Sequence, residues 1–153
     1  MRVYEVMSKR VETVRPTVDA SEAKNRMRQK DIHHLVVTKG KEIAGVVSDR
    51  DLGGSKLPKS LGKWTVEDVM TAPVVTVTTR TPIRRAAALM KGRSIGSLVV
   101  TSSNGSLAGI VTVSDLLDVL SRTPPPEPKR ESHVASIREQ RRARERVREL
   151  WGE

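Results

Sequence analysis

Gly45-Val46-Val47-Ser48-Asp49-Arg50-Asp51 and Gly109-Ile110-Val111-Thr112-Val113-Ser114-Asp115 are one pattern written twice. Each is a glycine, two aliphatic residues, a hydroxyl residue, two variable positions and an aspartate. The aliphatic run before the hydroxyl reads as the end of a strand. A hydroxyl three residues before an acid reads as the start of a helix.

Working outward, the repetition continues. Ala44 matches Ala108 at the same offset of 64. Upstream of a one-residue insertion the offset becomes 63. Ile32 and Leu35-Val36-Val37 then match Ile95 and Leu98-Val99-Val100. Ala23 and Met27 match Ala86 and Met90, Thr13-Val14 matches Thr76-Val77, and Val6-Met7-Ser8 matches Val69-Met70-Thr71. Agreement at so many positions with a single gap marks an internal repeat.

Each copy reads as the same series. A short strand is expected near 11–14 and 74–78. Helices are expected near 19–30, capped by Asp19 or Ser21, and near 82–91, where Ile83, Ala86, Ala87 and Met90 share a face. Strands follow at 35–38 and 98–101, hairpin turns at Lys39-Gly40-Lys41 and Ser102–Gly105, and strands at 43–47 and 107–111. A final helix is expected after Ser48 and after Thr112. The fold class is therefore α/β (α+β): two βαββα-type units related by a pseudo-twofold axis. A unit of about 60 residues is marginal alone, so the copies should pack together. Residues 1–60 form the first copy with its linker at 53–60, and residues 61–122 the second. Residues 123–153 are a Pro-rich linker and an Arg-rich segment. There Val134, Ile137, Ala143, Val147, Leu150 and Trp151 suggest an exposed helix that docks on the chain's own body, a second subunit or another protein.

The repeats resemble the cystathionine-β-synthase (CBS) domain family, here as the tandem pair often called a Bateman module. The resemblance covers about residues 1–122 and rests on the doubled Gly-x-x-Ser/Thr-x-x-Asp pattern, each copy preceded by its I-x-x-L-V-V run. It implies an adenine nucleotide (AMP, ADP, ATP or a related compound) bound between the repeats. Asp51 and Asp115 would hold ribose, with Ser48 and Thr112 beside them. A homodimer is implied as well. Read locally, the same Ser/Thr-x-x-Asp groups are helix caps.

An adenine slot must be aliphatic here, because aromatic residues make up only 2% and Phe is absent. Val11, Val14, Ile32 and Val46 would line it in one copy, and Val74, Val77, Ile95 and Ile110 in the other, with Thr13 and Thr76 on the same strands. In the family a basic pair after the isoleucine often meets phosphate. His33, His34 and Arg50 suit that role; Gly96, Ser97 and Ser114, at the matching places, carry no charge. The two sites should therefore differ. Histidine is the side chain whose ordinary charge change falls near neutrality, so with His33 and His34 at the phosphate, binding of charged nucleotides is expected to tighten below about pH 6.5.

Composition narrows the alternatives. The absence of cysteine removes disulfides, thiolate catalysis and cysteine-bound zinc. No metal site or catalytic motif is present, and the chain is read as a non-enzyme with no cofactor. No apolar run approaches the roughly 18 residues of a membrane span, and no signal-peptide core precedes the first repeat, so a cytoplasmic location is expected. The net charge is +10, with 20 Lys/Arg against 12 Asp/Glu before residue 127 and 8 against 6 after it. A diffuse basic surface allows two other readings, a nucleic-acid-binding protein or a purely structural dimerisation module. The scarcity of aromatics weighs against single-stranded nucleic acid, which is usually held by stacking.

Overall fold

In the computed structural model of the chain the described residues are 1–53 and 63–122. The Pro-rich run and Arg-rich segment from residue 123, and the linker after Gly53, lie outside them. A 3-10 turn at Val3–Glu5 comes first. Then follow β1 (Thr13–Val14), α1 (Ala20–Lys30), β2 (His34–Lys39) and β3 (Glu42–Ser48). The second copy runs α2 (Val66–Val69), β4 (Thr76–Thr78), α3 (Ile83–Arg93), β5 (Ser97–Thr101), β6 (Leu107–Thr112) and α4 (Val113–Arg122).

Two three-stranded sheets result, ordered β1-β2-β3 and β4-β5-β6. In each, the outer strand pairs parallel with the middle one, which forms an antiparallel hairpin with the third. The repetition extends to irregularities: the hairpin register shifts after Val37 and after Val100. Both helices α1 and α3 stop at a left-handed residue, Asp31 (φ 51°) and Ser94 (φ 53°). The next amide then turns back to the helix, Ile32 to the Met27 carbonyl and Ile95 to the Met90 carbonyl, each at 3.0 Å. This stop sets both isoleucines at the mouth of their sheets.

Strand alternation divides the middle strands between two environments. Leu35 and Val37 join Ala23, Met27 and Val47 in one core, and Leu98 and Val100 join Ala86, Met90 and Val111 in another. Val36 and Val99 point the other way and are also buried. Both faces of each middle strand are covered, which is why these runs are continuously apolar.

The cores do not follow the linear boundary at residue 60. Val3, Val6 and Met7 pack into the second core, whereas Val66, Val69 and Met70 pack into the first. The two copies thus exchange their leading segments, as a twofold-related pair must if either does. Backbone pairs fasten the exchange. Ser8 and Ile110 bond reciprocally at 2.9 and 3.1 Å, and Thr71 and Val46 at 2.8 and 3.2 Å. Even the helix starts depend on it: the Ala20 amide donates to the Trp64 carbonyl and the Ile83 amide to the Met1 carbonyl. Asp19 precedes α1 as expected, but its side chain makes no capping bond.

One expected element differs. After Thr112 the ten-residue α4 forms, but after Ser48 there is only a turn through Gly53. The turn closes with bonds from the Leu52 amide to the Ser48 carbonyl and from the Gly53 amide to the Arg50 carbonyl. Gly53 then takes φ 90°, which helical backbone excludes. Leu52 is wholly buried and anchors the turn in the first core. Among the described residues no helix is long and apolar enough to cross a membrane.

Candidate functional site

Both hairpins end at the same place in their sheets, where His34 pairs with Ser48 and Ser97 with Thr112. These ends open on one cleft of about 800 Å³ that both copies line. From the first copy Val11, Ile32, His33, His34, Ser48, Arg50 and Asp51 reach it. From the second come Val74, Ile95, Thr112 and Asp115, with the neutral Gly96, Ser97 and Ser114. Val46 and Ile110 complete its aliphatic lining.

Thr13, Val14, Thr76 and Val77 are not among the lining residues, and this corrects the reading of the strands. Thr13 and Val14 stand opposite Val36 and Val37, inside the sheet rather than at its end. Val14 and Val77 belong to the two cores, and Thr13 and Thr76 are exposed. The chain meets the cleft just before those strands begin, at Val11-Glu12 and at Val74-Val75. Sequence reading also missed Arg10, Glu12, Asp49, Ser8 and Thr71 in the lining. Ser8 and Thr71 were signalled by the repeat itself; Arg10 aligns with Pro73 and left no trace in it.

The Ser/Thr-x-x-Asp groups close on themselves. The Ser48 amide donates to Asp51 Oδ2 at 2.7 Å, and the Asp51 amide donates to Ser48 Oγ at 3.3 Å. Thr112 and Asp115 repeat both bonds at the same distances, and the Thr112 hydroxyl adds one to Asp115 Oδ2 at 2.9 Å. Each is a reciprocal capping arrangement. Each uses Oδ2 of the aspartate and leaves Oδ1 without a bond among the described residues, so capping and ligand binding need not compete for the same atom.

Charge is distributed unevenly around the cleft. Arg10 and Arg50 take part in none of the ion pairs among the described residues. Burial holds the pKa of His34 below the ordinary imidazole value, and the adjacent His33 adds to the effect. Asp51, Asp115 and Asp49 pull it the other way. His34 therefore feels the motif aspartates of both copies. The cations lie on the first copy's side, and the second contributes hydroxyls and backbone. No group of three or more His, Asp or Glu side chains among the described residues could hold a metal ion.

The model of the CBS domain family matches twice, at residues 3–52 and 66–122. The chain belongs to the CBS domain family. A CBS domain-containing protein of Dictyostelium discoideum is 32% identical, over 82% of this chain and 95% of that one. An uncharacterized protein of Methanopyrus kandleri is 34% identical over 76% of this chain, which spans 61% of that relative's length. The fold recurs in the CBS domain pair of protein MJ0100, with a TM-score of 0.70 at 24% identity. The match covers 79% of this chain and 96% of the other, which was solved with 5′-methylthioadenosine and S-adenosyl-L-methionine. As a tandem CBS pair, this chain joins its two copies at a shared cleft.

Proposed function

We propose that this CBS pair is a cytoplasmic ligand-sensing module, not an enzyme, that binds an adenine nucleotide in the cleft and signals occupancy to a partner protein. The observation that carries the reading is one cleft lined by both Ser/Thr-x-x-Asp groups. Each offers an unbonded carboxylate oxygen beside aliphatic walls, which suits ribose hydroxyls next to a flat apolar base. The adenosine compounds held by the MJ0100 pair agree with that chemistry. Arg10, Arg50, His33 and His34 favour a phosphorylated ligand, AMP, ADP or ATP, toward the first copy. Each motif aspartate is tied to its own hydroxyl residue, which suits holding a ligand rather than acid–base work.

Ligand binding would stiffen the exchanged pair, and a partner would read the change. We assign a homodimer to the module, because Val113, Leu117 and Leu120 form an exposed stripe along α4 that a second copy would cover. The Arg-rich segment beyond residue 123 is the proposed contact for the regulated protein.

A thermal-shift screen of adenosine, AMP, ADP, ATP and S-adenosylmethionine on the purified protein tests the reading. A nucleotide that binds the folded state raises the melting temperature with concentration. No shift with any of them would leave a dimerisation module with an idle cleft.

A further inference from the structure

A buried cation stands behind the first half of the cleft. Lys24, on α1, is 1% exposed and is the one buried charged side chain among the described residues. Its ammonium pairs with Asp49 Oδ1. Asp49 is itself part of the cleft wall, between Ser48 and Arg50. The Asp49 amide donates to the His33 carbonyl at 2.8 Å. One residue thus ties α1, the start of β2 and the turn that carries Asp51 together.

The second copy keeps only half of this. The Val113 amide donates to the Gly96 carbonyl at 3.0 Å, the counterpart of the backbone bond. The positions of Lys24 and Asp49 are occupied there by Ala87 and Val113. That copy has α4 to hold its Thr112–Asp115 group, with Leu116 packed on the core. The first copy has a turn over Asp49–Gly53 in the corresponding place. Lys24 is buried while the Asp49 side chain stays 34% exposed, so the pair desolvates a lysine for a partner that water still reaches, and an apolar residue at position 24 would avoid that cost. The pair stands in the copy whose residues 49–53 are a turn where the other copy begins α4.

We propose that Lys24 is a positioning residue for the first half of the cleft, acting through Asp49. It fastens the Ser48–Gly53 turn that carries Asp51. It also cancels the Asp49 charge beside the position that an anionic ligand would occupy. The second effect rests on the nucleotide reading above; the first does not.

The test compares wild type, Lys24→Met and the double variant Lys24→Met/Asp49→Asn. Titration calorimetry with ATP and with adenosine reads charge, and hydrogen exchange at the Asp51, Leu52 and Gly53 amides reads fastening, with the amides of α4 as reference. In Lys24→Met, ATP affinity should fall roughly tenfold while adenosine falls less than about threefold, because the exposed carboxylate repels only the phosphates. The double variant should return the ATP-to-adenosine ratio to that of wild type. Exchange at 51–53 should quicken in both variants while α4 is unchanged. Equal losses for ATP and adenosine in Lys24→Met, or unaltered exchange in both variants, would overturn the proposal. If wild type binds neither compound, the nucleotide reading has failed, and exchange alone decides whether Lys24 fastens the turn. If Lys24→Met does not fold, the double variant, which buries no unpaired charge, carries the same exchange measurement.

Discussion

Gly109 lies so close to Ser8 that a Cβ built on it would stand 2.6 Å from the Ser8 carbonyl oxygen and 3.0 Å from Met7 Sδ. The motif glycine is thus the point where the exchanged segment meets the sheet. Gly45 occupies the same position against Met70 and Thr71, at 2.8 Å from each. Gly109→Ala and Gly45→Ala should each cost about 1–3 kcal/mol, since backbone on the far side must give way. Gly92, inside α3 with nothing within 4 Å, supplies the contrast. Gly92→Ala should add about 0.5–1 kcal/mol by improving helix propensity. Urea unfolding of the three variants checks both signs; equal effects would mean that close approach is not the reason for the motif glycines.

Asp51→Ala removes a cap and a proposed ribose acceptor together. Loss of its bond from the Ser48 amide should lower stability by about 1 kcal/mol. Loss of hydrogen bonds to a charged group should weaken nucleotide binding roughly 10- to 150-fold. Asp115→Ala should cost similar stability but less affinity for phosphorylated ligands, its copy being poor in cations. Calorimetry on both variants separates the cases. Unchanged affinity in both would leave the aspartates as caps alone.

Arg50→Ala should weaken ATP more than adenosine. Arg50 carries no competing ion pair among the described residues, so its charge is available to phosphate. A fall of equal size for both compounds in the same titrations would remove Arg50 from the phosphate side.

The pH dependence follows from His34, whose pKa burial and then His33 hold below the ordinary value near 6.5. A depressed folded-state value favours the neutral imidazole in the folded protein. Its contribution to stability is present above pH 6.5 and is lost as pH falls from there through the folded value. His34→Asn should flatten thermal stability across that window. An anionic ligand would draw a proton onto His34, so ATP binding should tighten as pH falls through the value His34 takes in the complex and level off only below its depressed value in the free protein. The depressed free-state value therefore carries the tightening expected below about pH 6.5 further down in pH. Calorimetry in two buffers of different ionisation enthalpy should show proton uptake with ATP and none with adenosine; no uptake with ATP would place His34 away from phosphate.

The stripe on α4 gives the last expectation. Leu117 and Leu120 are 58% and 67% exposed. Leu117→Glu or Leu120→Glu should shift a dimer toward monomer by light scattering, with little change in the melting curve extrapolated to low concentration. Wild type that scatters as a monomer at tens of micromolar, roughly where micromolar association shows, would remove the dimer.

The sheets, the two long helices and the cleft's outer residues were legible in the sequence because the repeat reports each element twice. The strands near Thr13 and Thr76 were located, but which of their residues reach the cleft was not. That depends on where parallel pairing begins, and two or three residues carry too little alternation to show it. The helix expected after Ser48 was misread because a capping box announces a first turn and says nothing of a second. Gly53, the first residue of the expected linker, takes a positive φ that helical backbone does not adopt. The exchange of leading segments joins Ser8 to Ile110, far apart along the chain, and periodicity does not record such pairings.

That exchange makes the two halves mutual hostages. A lesion at Val3 or Met7 strikes the second core, and one at Val66 or Met70 strikes the first. A cut in the linker would yield two pieces, each bearing the lid of the other and lacking its own. Such pieces are complementary fragments of one folding unit, competent together and incomplete apart.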